Sequence, residues 1–264
     1  MKRRFSRATK IVPLAILVLG SAILCAIVTR DPSRLEPARA WCAPSIERPL
    51  GCGEAGVDLL ALVAHAVLRG VVLAAVVALV GFTVGTPLGA AAAMVRGPVE
   101  RAVGRACDLI QAFPTFLLAF AVLSAVRSPS RFHIGVIFAL TAWAPFARLA
   151  LAETRVLRNA AFVEAAVALG LGPARVLLRH VLPNLLGVVA VQLGATAAAI
   201  VVSEAALAFV GFGPKDGVSL GSVMDQGVAA MLRAPHVLLV GSAAVFLTSA
   251  AMLLAGRAAG PRVS

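Results

Sequence analysis

Apolar residues in this chain fall in long unbroken blocks rather than in the one-sided stripes of a water-soluble helix. The blocks cover residues 11–28, 67–95, 109–126, 133–152, 185–212 and 236–255. At about 1.5 Å rise per residue, about 20 residues of helix cross a hydrocarbon layer of about 30 Å. Each block therefore predicts a transmembrane helix. Pro87, Pro114 and Pro145 lie inside blocks, and a span tolerates them where neighbouring helices satisfy the freed backbone groups. The pattern predicts an all-α polytopic membrane protein with about six transmembrane helices.

Composition agrees and charge adds an orientation. The 264 residues are 60% hydrophobic and 14% charged, against about a quarter charged in soluble domains. The net charge is +12, and 15 of the 24 Lys and Arg sit in the segments 1–10, 96–108, 148–184 and 256–264. The other 9 are spread over more residues on the opposite side. By the positive-inside rule the first set is cytoplasmic. Both termini and residues 153–184 are then expected in the cytoplasm, and 29–66, 127–132 and 213–235 outside. Basic residues confined to short segments between apolar blocks signal topology, so no nucleic-acid partner is expected. The block 11–28 exceeds a signal-peptide core of about 7–15 residues and reads as a retained first span, although Ala38-Arg39-Ala40 has the form of a cleavage site. The expected organisation is a basic tail 1–10, the span 11–28, an extracytoplasmic loop 29–66, a five-helix core 67–255 and a tail 256–264.

Few residues suggest chemistry. The lysines Lys2, Lys10 and Lys215 do not fit GxxxxGK[ST], so no ATP site is expected here. No ordered set of nucleophile, base and acid stands out, and the four cysteines show no metal-ligand spacing. Cys42 and Cys52 share the large outer loop, where oxidation is permitted, and are a candidate disulfide. Glu204 falls inside the fifth block, and a carboxylate at that depth is a functional candidate by default. With His133 at a span end, it leaves open a stand-alone carrier driven by an ion gradient.

The most distinctive segment is EAAVALGLGPARVLLRHVLPN, residues 164–184. Asn159 is placed to cap a first helix, Gly170 to end it in the left-handed conformation, and Gly172 and Pro173 to start a second. Pro183 is expected to stop that helix at Leu182. Phe162, Ala165, Ala166 and Leu169 can share one face of the first helix, and Glu164 has no basic residue within reach on its own helix. On spacing alone, an amphipathic hairpin lying on the bilayer is the other reading.

Glu164-Ala165-Ala166, Gly170 and Leu182-Pro183 resemble the EAA motif of ABC importer permeases. Arg179-His180-Val181-Leu182-Pro183-Asn184 is similar to the form found in the dipeptide, oligopeptide and nickel group, second-permease type. So are the stretches Asp108 to Pro114, Trp143 to Arg148 and Ser203 to Gly213, all in family order. The resemblance implies a permease subunit whose EAA segment is a coupling helix seated on a cytoplasmic ATPase. Phe162, Glu164, Ala165, Ala166, Leu169, Gly170, Gly172, His180, Leu182 and Pro183 would form it, with Glu204, Pro114 and Trp143 as pathway candidates. It further implies a second permease, two P-loop ATPases that use the ATP, and an extracytoplasmic binding protein. The cargo would be a peptide, nickel or a related small solute. The outer face departs from the family pattern at Cys52, Gly53 and Val57, and at Leu220, which stands where the family has tryptophan.

Overall fold

The computed structural model describes residues 12, 14–16, 18–23, 36–215 and 217–260. The expected tail 1–10 and residues 261–264 lie outside them, and the expected first span 11–28 is described only in part, as apolar helix at positions up to Ile23. The helices are α1 (Leu59–Val95), α2 (Gly97–Ala112), α3 (Thr115–Ser124), α4 (Arg131–Leu157), α5 (Ala161–Ala168), α6 (Pro173–Phe212), α7 (Leu220–Ala229) and α8 (Pro235–Ala259). Among the described residues, α1, α4, α6 and α8 are long and apolar enough to cross a bilayer. α2 and α3, bent by 69° at their junction, pass the same test only if the bent pair is one span. Glu100 and the other charged residues of the first turns of α2 fall in the segment 96–108, expected on the cytoplasmic side.

Three boundaries differ from the expectation. α1 begins before residue 67 because Asp58 caps it, its carboxylate accepting from Leu60 N at 3.0 Å and Ala61 N at 3.4 Å. The expected span 109–126 is divided. Pro114 forces Phe113 out of helical geometry (φ −98°, ψ 128°), which ends α2 and starts α3. Pro183, in contrast, stops nothing. Residues Leu177–Val181 form a π turn, and the Leu182 N–H bonds back to Leu177 O. The extra residue in that turn moves the backbone carbonyls out of the proline's way, so α6 continues to Phe212.

Backbones approach closely where glycines recur. Gly81, Gly85 and Gly89 lie one turn apart on α1, and a Cβ on Gly81 would stand 2.6 Å from the Ala142 carbonyl oxygen of α4. Gly85 and Gly89 abut the carbonyls of Trp143 and Ala147 in the same way. Lipid tails offer no hydrophobic drive between helices, so such small-residue seams let dispersion forces hold them. Phe138, Ile134, Leu123 and Val77 fill the centre of the bundle.

Residues 36–58 form a strap across one end. Cys42 and Cys52 are disulfide-bonded. Arg48, buried, donates to Gly56 O at 2.8 Å and pairs with Glu36. Trp41, Leu50 and Val57 pack on Val223, Ala230, Ala234 and Val237 of the α7–α8 region. The departures from the family pattern thus sit in packing: Cys52 in the bond, Val57 in this cluster, and Leu220 buried at the start of α7 beside its Ser219 cap.

Candidate functional site

At the end opposite the strap, α5 and the first turns of α6 form a hairpin. Its turn is closed by Gly170 N to Val167 O at 2.9 Å and Leu171 N to Ala166 O at 3.1 Å. Those two bonds require the left-handed Gly170, whose φ is +82°. Gly172 then supplies an extended N-cap and Pro173 the first helical position. Asn159 is not the cap. Ala160 occupies that place, while the Asn159 side chain bonds back to Arg155 O at 3.4 Å.

The hairpin has an inner and an outer face. Val163 and Ala166 are buried, in a cluster with Phe146, Ala150, Val176, Val181 and Leu185. Phe162, Glu164, Ala165, Leu169 and Gly170 face outward, with Phe162 42% and Leu169 81% exposed. Ala166 therefore departs from the expected common face, because α5 needs its own apolar contact with the bundle. Gly172 and Pro183 are exposed, and His180 and Leu182 are half-buried. Arg175, Leu178 and Arg179 line a shallow concavity beside the turn.

The second feature is a groove of about 390 Å³ between the α2–α3 bend, α4 and α6. Its polar lining is Gln111, Thr115, Thr141, Gln192, Thr196 and Ser203, with Pro114 at the bend. Gln192 Nε2 donates to Thr196 Oγ1 at 3.1 Å and Thr141 Oγ1 to Phe138 O at 3.0 Å. Trp143 does not line the groove; it packs with Val103, Cys107 and Ile110, where α2 lies on α4. Glu204 is buried and is not in the lining either, although its neighbour Ser203 is. His133 is taken up by a cap, its Nδ1 2.6 Å from Ser130 Oγ.

Ion pairs unforeseen from sequence join the hairpin end. Glu100 on α2 pairs with Arg155 at 2.5 Å and with Arg158 at 3.3 Å. Arg158 also donates to Ala93 O, in the last turn of α1, at 2.6 Å. Asp108 lies within α2 and pairs with Arg148 at 2.5 Å. The Arg155 hydrogen bond holds the Glu100 carboxyl below the usual carboxylate range, outweighing the effect of burial. No group of three or more His, Cys, Asp or Glu suited to a metal ion occurs among the described residues.

The profile of the family described as binding-protein-dependent transport system inner membrane component matches residues 85–264. The chain belongs to this family. Its members are transport components rather than enzymes, and the chain is accordingly a multi-pass inner-membrane permease subunit of an ABC importer. The glutathione transport system permease protein GsiD of Pectobacterium atrosepticum is 30% identical over 214 residues, spanning 81% of this chain and 71% of that protein. GsiD of Shigella dysenteriae serotype 1 is 32% identical over 214 residues, 81% of this chain and 70% of that one. The fold is shared with a structure titled as inward-facing conformations of the MetNI methionine ABC transporter. The likeness has a TM-score of 0.60 at 20% identity and covers 76% of this chain and 97% of that one. As a family member the chain has no need of an ion-gradient carrier's proton path, and His133 has another role in the cap. The glycine seam of α1 was missed in the sequence, although small residues at every fourth position are its signal. The Glu100 cluster carries no such signal, since its partners lie 55 and 58 residues away.

Proposed function

We propose that the permease imports a small peptide-like solute, driven by cytoplasmic ATPases that seat on the α5 hairpin. The observation that carries this is the split character of that hairpin. Its inner face is buried in the bundle, its turn is fixed by Gly170, and its outer face offers Phe162, Ala165, Leu169 and the carboxylate of Glu164. Exposed apolar side chains with a charge beside them suit a protein groove. The arginine distribution supports a cytoplasmic position for this end and for both termini, and an outer position for the strap. A second, related permease completes the pathway opposite the groove, two P-loop ATPases bind ATP, and an extracytoplasmic binding protein delivers the cargo at the strap end.

The cargo reading rests on the groove lining. Amide and hydroxyl groups without a carboxylate, thiol or imidazole suit the hydrogen-bonding groups of a peptide better than a nickel ion. The naming of GsiD as a glutathione permease supports the same class.

Purification of the tagged chain from its host membranes in mild detergent tests the assembly. Recovery of a P-loop ATPase and a second permease with the wild type, and loss of the ATPase with Phe162→Ala/Leu169→Glu, is the expected result. Recovery of the chain alone would overturn it.

A further inference from the structure

We propose that Glu100 is a positioning residue that carries movement of the α5 hairpin to the wall of the groove, an inference resting on the ATPase-docking reading above. Only Arg158 to Ala160 separate α4 from α5, so a displaced hairpin pulls directly on the last turn of α4. That turn holds Arg155, Arg158 follows it directly as the C-cap, and Arg148 lies two turns before Arg155 on the same face. All three reach α2: Arg155 and Arg158 at Glu100, and Arg148 at Asp108 and at the Gly104 carbonyl. Cys107, fully buried, packs with Ala144 and Ala147 where α2 lies on α4. α2 is thereby bolted to α4 along its length.

α2 then acts as an arm of about 24 Å, from 16 residues at about 1.5 Å each. Its first turn carries Glu100, and its far end carries Gln111, at the Pro114 bend in the groove lining. Arg158 ties the same carboxylate to the end of α1 through Ala93 O. One buried acid thus joins the ends of α1, α2 and α4 beside the hairpin.

Burial decides which pair matters. The Asp108 and Arg148 side chains are 58% and 49% exposed, and exposed pairs contribute little. The Glu100 and Arg158 side chains are 11% and 19% exposed, and breaking a buried pair leaves an uncompensated charge.

The test uses the whole complex in proteoliposomes, with solute uptake and ATP hydrolysis measured together. Glu100→Gln should lower solute moved per ATP by about tenfold, the loss expected when charged hydrogen bonds are given up. ATPase recovery on purification should not change. Asp108→Asn should change the ratio by no more than about twofold, and Glu100→Asp, which keeps the charge, should retain most of it. An unchanged ratio in Glu100→Gln overturns the proposal. So does a fall in Glu100→Gln accompanied by ATPase loss, because that is a folding or docking defect. Should Glu100→Gln fail to assemble, a ratio in Glu100→Asp equal to wild type supports the charge link, and one equal to a detached complex overturns it. Failure of the wild type to move solute with ATP would instead overturn the docking reading.

Discussion

Gly194 of α6 and Gly256 of α8 face each other so closely that a Cβ on the first would stand 2.5 Å from the Cα of the second. Neither helix can retreat freely. The Met252 carbonyl would meet the same Cβ at 2.7 Å, and α8 is held at its other end by the contact of Gly227 with the Leu238 backbone.

Gly194→Leu should therefore force the α6–α8 seam apart, at a cost of about 1–3 kcal/mol. The expected readout is a lowered melting temperature and a broadened size-exclusion peak in detergent. Gly70→Ala, where a Cβ would have nothing within 4 Å, should not lower the melting temperature and serves as control. A wild-type melting curve for Gly194→Leu would show that the seam is looser than described.

Gly170 makes the opposite case, since a Cβ there would also meet nothing within 4 Å. Space is free and only the backbone objects: φ is +82°, and holding a β-branched residue there costs about 1–2 kcal/mol. Gly170→Val should leave insertion and expression intact but misalign the hairpin, so that ATP is hydrolysed without uptake. Gly170→Asn, which tolerates the left-handed region, should retain most transport. Full transport by Gly170→Val would count against a rigid hairpin.

Much of this was legible in the sequence. Apolar blocks located the spans, and the Gly170, Gly172 and Pro173 positions gave the hairpin turn. Each proline was harder to interpret, because the outcome depends on the backbone around it. Pro183 is absorbed by a π turn that no residue pattern announces, Pro114 breaks its helix, and Pro87 and Pro145 sit inside continuous ones. Ala166 was placed on the outer face because helical spacing gives a face but not what lies opposite it. The Glu36–Arg48 pair, with its partners 12 residues apart, became visible only once the strap was folded.

The depressed Glu100 carboxyl makes a pH prediction. Its hydrogen bond to Arg155, with Arg158 beside it, favours the ionised form in the folded chain. A lowered folded value means the stabilisation is present above the unfolded glutamate pKa of about 4.3 and is lost as pH falls through the folded value. The melting-temperature gap between wild type and Glu100→Gln should hold constant above the unfolded glutamate pKa of about 4.3 and close as the pH falls through the lowered folded value. A gap that persists in acid would show that the side chain acts through packing and not through charge.

The exposed apolar pair on the hairpin gives a further expectation. Phe162→Ala and Leu169→Glu change side chains 42% and 81% exposed, so each should shift the stability of the isolated chain by less than about 0.5 kcal/mol. Their effect should appear as weakened ATPase recovery. A large drop in melting temperature without any change in ATPase binding would place these residues in the fold instead.

The central claim is that the outer face of α5 meets an ATPase, and cross-linking from neighbouring positions tests it most directly. Ala165 is exposed and Ala166 is 5% exposed in the bundle. Ala165→Cys and Ala166→Cys would each be treated in membranes with a thiol-directed cross-linker, the products identified by mass. The account predicts an adduct between Ala165→Cys and a P-loop ATPase, changing with nucleotide, and none from Ala166→Cys. No ATPase adduct from Ala165→Cys, or an equal one from the buried position, would contradict it.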